Sequence, residues 1–404
     1  MGTGINSGNK IDKGVNHHHH NPPNYHHNKN NINHKGQVEV TFNWVYILIA
    51  GAVILLFFVS LVVRQKSISE QHLAVDVVRI LESIITGAQV SEKTKSSIPL
   101  GGLSEQTLYF NCEDGVSEYG VVGLPARVQN SFDSVFAPTT IQGSRLILWS
   151  LPYALPFKIT DFLLVTSDNN HYFFLGEGQG LSDEFIEGAA DSKPQLTIQA
   201  QKVNSLSEIS ASGKKVRARI VDADGKNIVS QGRIPGQLLA LEDKDLTAVS
   251  FTANNEANFF IKEGSFWKKL NLQPVPMVSQ AVNRDAAVYG AIFTEDPEIY
   301  LCNMQKAYQR IRLISEIYEA KVQELEQHYQ SSELNSDVSA SCLGFISGFT
   351  ASEGNVKDTL LLYKTRARAC SLLADSSCVE IVDFAERLQD LNERLADECS
   401  ITLY

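Results

Sequence analysis

The chain has 404 residues, 43% of them hydrophobic, and a formal charge of −11 at pH 7. This length and composition predict two or three folded units. Because phosphate binding requires a basic face, the acidic balance and the scattered basic residues exclude nucleic acid as the main partner.

Residues 1–41 are predicted to be a disordered tail, since a stretch with so few apolar side chains cannot offset its chain entropy. Seven of the ten histidines of the chain lie in it. Such a cluster either holds a transition metal loosely or has no ligand at all, and we favour the second interpretation. The candidate ligands are His17, His18, His19, His20, His26 and His27. We expect no cofactor elsewhere.

Residues 42–64 are predicted to be a transmembrane helix. The twenty residues from Trp44 to Val63 carry no charge and would reach roughly 30 Å as a helix, the thickness of a bilayer core. A buried core helix and a cleaved signal peptide are the alternatives, but this run is too long and too uniformly apolar for either. The lipid bilayer, contacted through residues 44–63, is therefore the first predicted partner.

Residues 65–95 are predicted to continue this helix in amphipathic form, until the sequence from Ser96 to Gly102 breaks it. Charged residues occupy one face: Glu70, Asp76, Arg79 and Glu82. Apolar residues recur on the other at helical spacing: Ile68, Leu73, Val77, Ile80, Leu81, Ile84 and Ile85.

Residues 100–295 are predicted to form a β-rich to α/β domain, with an open α/β sheet over residues 160–295. The turn signal at Asp168–Asn170 predicts a hairpin whose returning strand is His171–Leu175. A short helix is expected near Ser182–Ala190. A second hairpin is expected from Asn258–Lys262 to Ser265–Lys269.

Residues 296–404 are predicted to form a helical domain. Apolar residues at three- and four-residue steps predict helices over Glu298–Gln330, Val356–Leu373 and Val379–Leu395, arranged as an up-down-up bundle. The predicted fold class is thus mixed α+β and α/β, with one N-terminal transmembrane helix and a C-terminal helical bundle.

The six cysteines all follow the apolar run, and an even number of widely spaced cysteines is typical of disulfides in an oxidising space. The candidates are Cys302, Cys370, Cys378, Cys342 and Cys399. In the predicted bundle Cys302 lies at the same end as Cys370 and Cys378, so we expect it to pair with one of them. Buried free cysteines are the alternative. Lys and Arg near the membrane slightly favour a cytoplasmic C-terminus, but the cysteines favour an extracytoplasmic one, which we predict.

Motifs for chemistry are weak, and we assign no catalytic or cofactor-binding residue. Beyond the tail there are three histidines, His72, His171 and His328, so a Ser-His-Asp or Cys-His site would have to be built around His171. The Gly176–Gly180 loop lacks the spacing and the lysine of a phosphate loop. Asp222–Gly225 and Glu242–Asp245 are interpreted as turns.

The sequence Lys35-Gly36-Gln37, just before the apolar run, resembles the entry of archaeal type IV pilin-like precursors. The resemblance implies cleavage between Gly36 and Gln37 and a helix that sits in the membrane or packs into a filament core. The remainder is similar to uncharacterised archaeal single-pass membrane proteins, through Phe157–Ile159, a strand end at Gly290–Asp296 and Cys302–Met304. That similarity implies no activity.

The leading hypothesis is a signal-anchored surface protein that acts by binding or assembly, possible forms being a pilin-like or secretion-related component. Exposed heptad seams would offer a place for a protein partner or for self-assembly, although seams that pack on one another are the simpler interpretation. The alternative is a membrane-tethered extracytoplasmic enzyme with its site at the carboxyl ends of the α/β strands. A cytoplasmic domain with reduced cysteines is a third possibility.

Overall fold

The computed structural model describes residues 35–88, 94–101, 106–125, 127–176, 180–209, 216–228, 232–279, 285–331, 336–348, 354–372 and 375–404. Residues 1–34 of the predicted disordered tail, with its six histidine candidates, lie outside these residues, whereas residues 35–41 lie in a helix. The described residues from 66 to 404 belong to one compact unit, and residues 35–65 belong to another.

Helix α1 (Lys35–Ala88) contains the predicted membrane segment and its extension in one run of 54 residues. The stretch Trp44–Lys66 is long and apolar enough to cross a membrane, has a mean hydropathy of 2.9, and has none of its residues buried. Beyond it Val78 is buried, whereas Ile80, which we placed on the packed face, is exposed.

Two four-stranded sheets follow. The first, here called the small sheet, is antiparallel and has the order β4-β3-β2-β6. Its strands are β2 (Leu108–Glu113), β3 (Val116–Val121), β4 (Arg127–Asn130) and β6 (Thr140–Ile141). The second, here called the long-strand sheet, has the order β1-β7-β8-β5. Its strands are β1 (Lys95–Pro99), β5 (Val135–Phe136), β7 (Arg145–Ala154) and β8 (Lys158–Ser167).

The third sheet has seven strands, in the order β10-β9-β11-β12-β13-β14 with β15 paired to β13. Strands β10, β9, β11 and β12 run parallel, and β13, β14 and β15 add antiparallel pairs. The strands are β9 (Asn170–Leu175), β10 (Gln199–Val203), β11 (Arg217–Asp222), β12 (Leu246–Phe251), β13 (Glu256–Glu263), β14 (Phe266–Lys269) and β15 (Val275–Pro276). The predicted α/β sheet and the β13–β14 hairpin are therefore present.

Helix α2 (Leu181–Ala189) connects β9 to β10, and helix α3 (Asp285–Phe293) follows the sheet. The C-terminal region is helical, as predicted. It contains α4 (Pro297–Ser331), α5 (Ser336–Ser347), α6 (Val356–Leu372) and α7 (Glu380–Cys399). Helix α5 had not been predicted.

One hydrophobic cluster joins the C-terminal helices to the sheets. It contains Trp149 and Phe162 of the long-strand sheet, Phe259 of the seven-stranded sheet, and Tyr308 and Leu388 of the helices, all buried. The helices at 296–404 thus share one core with the region at 100–295. A second cluster lies between the small and long-strand sheets and includes Val78.

Two local predictions were wrong. Strands β8 and β9 follow one another through a turn but belong to different sheets, because β9 pairs in parallel with β10 and β11. The predicted strand end at Gly290–Asp296 lies instead at the end of α3. The α3 sequence is apolar on every side, so its periodicity could not distinguish a buried helix from a buried strand.

The cysteines form three disulfides, Cys112–Cys302, Cys342–Cys399 and Cys370–Cys378. The expected pairing of Cys302 with Cys370 or Cys378 was therefore wrong. Cys302 lies near the start of α4, on the face that packs against β2, where Cys112 is. Cys370 and Cys378 close a short loop at the end of α6.

The three disulfides should differ in their contribution to stability. They close loops with sequence separations of 190, 57 and 8 residues, for which chain entropy gives about 5, 4 and 2.5 kcal/mol. We expect the Cys→Ala pair variants to lose unfolding free energy in that order, as measured by urea titration of the full-length chain in detergent. Equal losses would contradict an entropic origin.

Candidate functional site

A cleft of about 520 Å³ lies between one end of the small sheet and the amino-terminal edge of the parallel strands. Thr107, Val122, Thr140 and Gln142 line it from the small sheet. The lining residues from the seven-stranded sheet and the segment before β12 are Val216, Arg217, Ala240, Leu241, Glu242, Lys244 and Asp245. Ligand pockets in proteins span about 300–1,000 Å³. The cleft is therefore large enough for a small molecule.

Arg217 lines this cleft and is only 8% exposed. Its Nη2 lies 3.0 Å from Oε2 of Glu295, and its Nε lies 3.4 Å from Oδ1 of Asp245. It also donates to the carbonyl oxygens of Thr140 and Lys244. The guanidinium group of Arg217 therefore contacts the small sheet, the segment before β12 of the seven-stranded sheet and the segment after α3.

Asp245 is a cleft carboxyl group whose pKa is perturbed. Burial raises its pKa, although Arg217 and Lys244 act in the opposite direction. Glu242 and Lys244 form a second, exposed ion pair with a Nζ–Oε2 distance of 2.9 Å, a kind of pair that adds little to stability. The walls thus present both signs of charge, and perturbed carboxyl groups in clefts are candidates for function.

Arg219, two residues further along β11, has a structural role. Its Nε donates to the carbonyl oxygen of Ile292 at 3.1 Å, and its Nη2 donates to those of Ala291 and Thr294 at 3.0 and 2.5 Å. It therefore satisfies the free carbonyl groups at the end of α3. Burial lowers its pKa to about 10.

The carboxyl ends of the parallel strands are where the enzyme hypothesis placed its site. The strand order reverses between β9 and β11, and such a switch point is a usual ligand site in open α/β sheets. Here the buried Asp222 accepts from the backbone N–H groups of Asn227 and Ile228, both at 2.9 Å, and from Ser250 Oγ at 3.2 Å. Its carboxylate thus holds its own loop in place.

The two glycine-containing loops meet at this switch point. Gly176 has a φ of +74°, and a Cβ there would lie 2.3 Å from Oδ2 of Asp224. Helix α2 carries Asp183 and Glu184 in its first turn, which would repel a phosphate. Residues 177–179 of the predicted loop lie outside the described residues.

The histidines do not form a site in the described part of the chain. His171 is half-buried on β9, burial lowers its pKa, and no hydrogen bond there joins it to a serine, cysteine or aspartate. His328 is exposed on α4. The side chains of His72 and Gln37 lie outside the described part of the structure. The backbone of Gly36 and Gln37 belongs to the first turn of α1.

A polar cluster that the sequence analysis had missed fastens α4 to the small sheet. Asn303 Oδ1 accepts from the backbone N–H of Val135 at 2.9 Å and from Ser117 Oγ at 3.2 Å. One turn later, Lys306 Nζ donates to Ser117 Oγ at 2.5 Å and to the carbonyl oxygens of Asp133 and Asn130 at 2.9 and 3.1 Å. Lys306 is buried, so this cluster holds α4 against the small sheet and is not accessible to a ligand.

The cleft residues had also been missed, although one signal was present. Arg217 and Arg219 occur two apart in a strand whose other residues before Asp222 are apolar. This spacing puts both arginines on one face of β11. Buried guanidinium groups require partners, so this spacing predicts carboxylates or free carbonyls nearby. Glu242–Asp245, interpreted as a solvated turn, supplies one of them.

No family model, curated protein or solved structure matches this chain.

Lys306 should make the stability of the protein depend on pH. Burial lowers its pKa to about 7, against the opposite effect of Asp133, whereas an unfolded lysine has a pKa of about 10.4. Between these values the unfolded chain binds more protons, so the free energy of unfolding should rise with pH, by up to about 1.4 kcal/mol per unit. Below pH 7 both states are protonated and the contribution is constant.

This rise is measured by urea titration at pH 7, 8 and 9. We expect it to be absent in Lys306→Met and retained in Lys193→Met, which alters an exposed lysine. Equal slopes for the parent and Lys306→Met would show that Lys306 keeps an ordinary pKa in the folded protein.

Proposed function

We propose that this protein is a single-pass, membrane-anchored surface protein whose extracytoplasmic unit acts by binding or assembly. Two independent features support this. Trp44–Lys66 can cross a bilayer, and residues beyond it carry three disulfides that use all six cysteines. Disulfides persist mainly in oxidising compartments, so the pairing favours an extracytoplasmic unit.

The cleft beside Arg217 is the proposed ligand site of this unit. Its lining offers hydroxyl and amide groups on one side and paired charges of both signs on the other. Such a lining favours a small polar ligand without a large net charge. A ligand with a large charge of one sign would be repelled by the lining residues of that same sign.

The more specific form of the proposal is a pilin-like or secretion-related component. Its support is the Lys35-Gly36-Gln37 sequence at the start of α1 and the continuity of α1 over 54 residues. A helix of this length, about 80 Å, has room for both a membrane segment and a segment that packs on other protein.

Mass spectrometry of the full-length protein, purified from its native membrane without reductant, tests this proposal. We expect a mass six hydrogens below that of the reduced chain, because three disulfides are present, and an N-terminus at Gln37. An oxidised chain with an intact Met1 would support an extracytoplasmic unit but contradict the pilin-like form of the proposal. Six free thiols would overturn the topology.

A membrane-tethered enzyme is the second candidate, and the raised pKa of Asp245 in the cleft favours it. Its site would then be this cleft and not the carboxyl ends of the strands. The enzyme hypothesis predicts hydrolysis of some p-nitrophenyl ester or glycoside that is lost in Asp245→Asn. It should be kept in Asp243→Asn, because Asp243 is half-exposed and pairs with Lys262 away from the cleft lining. Absence of turnover across both substrate classes would count against it.

A further inference from the structure

Two helices of the C-terminal region carry exposed seams that no described residue covers. On α4 the seam consists of Leu313, Ile317, Ala320 and Glu324, and on α6 it consists of Leu361, Thr365, Arg368 and Leu372; all eight are exposed. Both sets are spaced by four, three and four residues, as on the contact face of a packed helix. Ile317 is 67% and Leu372 77% exposed.

The two helices lie side by side and antiparallel. Glu319 pairs with Lys364 at 2.6 Å, and Glu326, further along α4, pairs with Lys357, earlier on α6, at 2.8 Å. Buried residues such as Val322 and Tyr363 occupy the opposite sides of the helices. The exposed seams therefore both face away from the core, and each is flanked by the ion pairs between α4 and α6.

The two helices carry opposite charge. Between Glu316 and Glu326, α4 has four glutamates and one lysine, whereas α6 has four basic residues, Lys357, Lys364, Arg366 and Arg368, and one acid, Asp358. Glu319 and Glu326 pair with Lys364 and Lys357 within one copy, and Arg366 pairs with Glu380, so a contact between copies uses Glu316 and Arg368. A surface with an acidic helix beside a basic one is complementary to itself after a two-fold rotation, because α4 of one copy then meets α6 of the other.

We propose that the α4–α6 face is the contact between two copies of this chain. The contact keeps the antiparallel register that the ion pairs set within one copy. Leu313 then lies beside Leu372 of the second copy, and Glu316 lies beside its Arg368. The two-fold rotation forms each contact twice. The inference rests on the proposed function in one respect, since anchoring in one membrane raises the effective concentration of the copies for each other.

Sedimentation equilibrium of the full-length chain in a density-matched detergent tests the contact. Glu316→Lys and Arg368→Glu should each weaken the dimer about ten-fold, because each places like charges together at two symmetric positions. The double variant Glu316→Lys/Arg368→Glu restores opposite charges and should return to within about three-fold of the parent. Glu187→Lys, on the exposed face of α2, is the matched control and should not change the dissociation constant.

A monomeric parent, unchanged single variants, or a double variant weaker than either single one would each overturn the contact. Association through the membrane helix alone would appear as unchanged single variants. None of these outcomes contradicts the proposal of an oxidised, membrane-anchored protein, which mass spectrometry tests separately. All of the substituted side chains are exposed, and equal thermal unfolding midpoints would confirm that each variant is folded.

Discussion

The amino-terminal half of helix α4 is buried on two sides, between the main core and the small sheet. The arrangement of the rest of the fold depends on how the side chains on these two sides are packed and paired. One side carries Tyr300 and Tyr308 into the main core, while the other faces the small sheet through Cys302, Asn303 and Lys306. Polar groups buried on such a helix cost free energy unless they are paired. On the side of the small sheet, Ser117, the carbonyl groups of Asn130 and Asp133, and the N–H group of Val135 pair with Asn303 and Lys306. The place of the small sheet on α4 is therefore determined by hydrogen bonds as well as by apolar area.

The same solution recurs at the other end of the small sheet. Arg217 reaches from the seven-stranded sheet to the carbonyl oxygen of Thr140 and to Glu295, which follows α3. Buried charges of this kind often contribute little net stability but exclude other arrangements of the same elements, because misplacing them leaves a charge unpaired. In this protein Lys306 and Arg217 lie at the two ends of the small sheet. An apolar interface alone would allow this sheet to shift against its neighbours. The cleft lies beside the second of them, so its walls are held at a defined separation.

The structure also shows which inferences a sequence of this kind supports. The apolar run, the helices at Glu298–Gln330 and Val356–Leu373, and the last hairpin were predictable because each repeats a local pattern over many residues. Helix α3 was not, since its apolar sequence has no polar face to give a period. The sheet that β9 joins and the cysteine that pairs with Cys302 depend on which elements meet in space. The candidate cleft is formed by residues from five separate stretches of the chain. Only the pair Arg217 and Arg219 indicated locally that buried partners were required.

The bridge from Cys112 to Cys302 has a consequence for how the protein is made. In the proposed extracytoplasmic topology, a chain delivered across the membrane from its amino-terminal end presents Cys112 to the oxidising side 190 residues before its partner. During that interval the small sheet has its strands but lacks the helix that covers it. The Cys112 thiolate can then attack an existing disulfide and form a mixed disulfide with a sulfur other than that of Cys302, releasing the second sulfur of that disulfide as a thiol. Correct maturation therefore requires that oxidation be slower than export, or that a thiol–disulfide exchange catalyst corrects early pairs. Cys370 and Cys378, which are only 8 residues apart, have no such requirement.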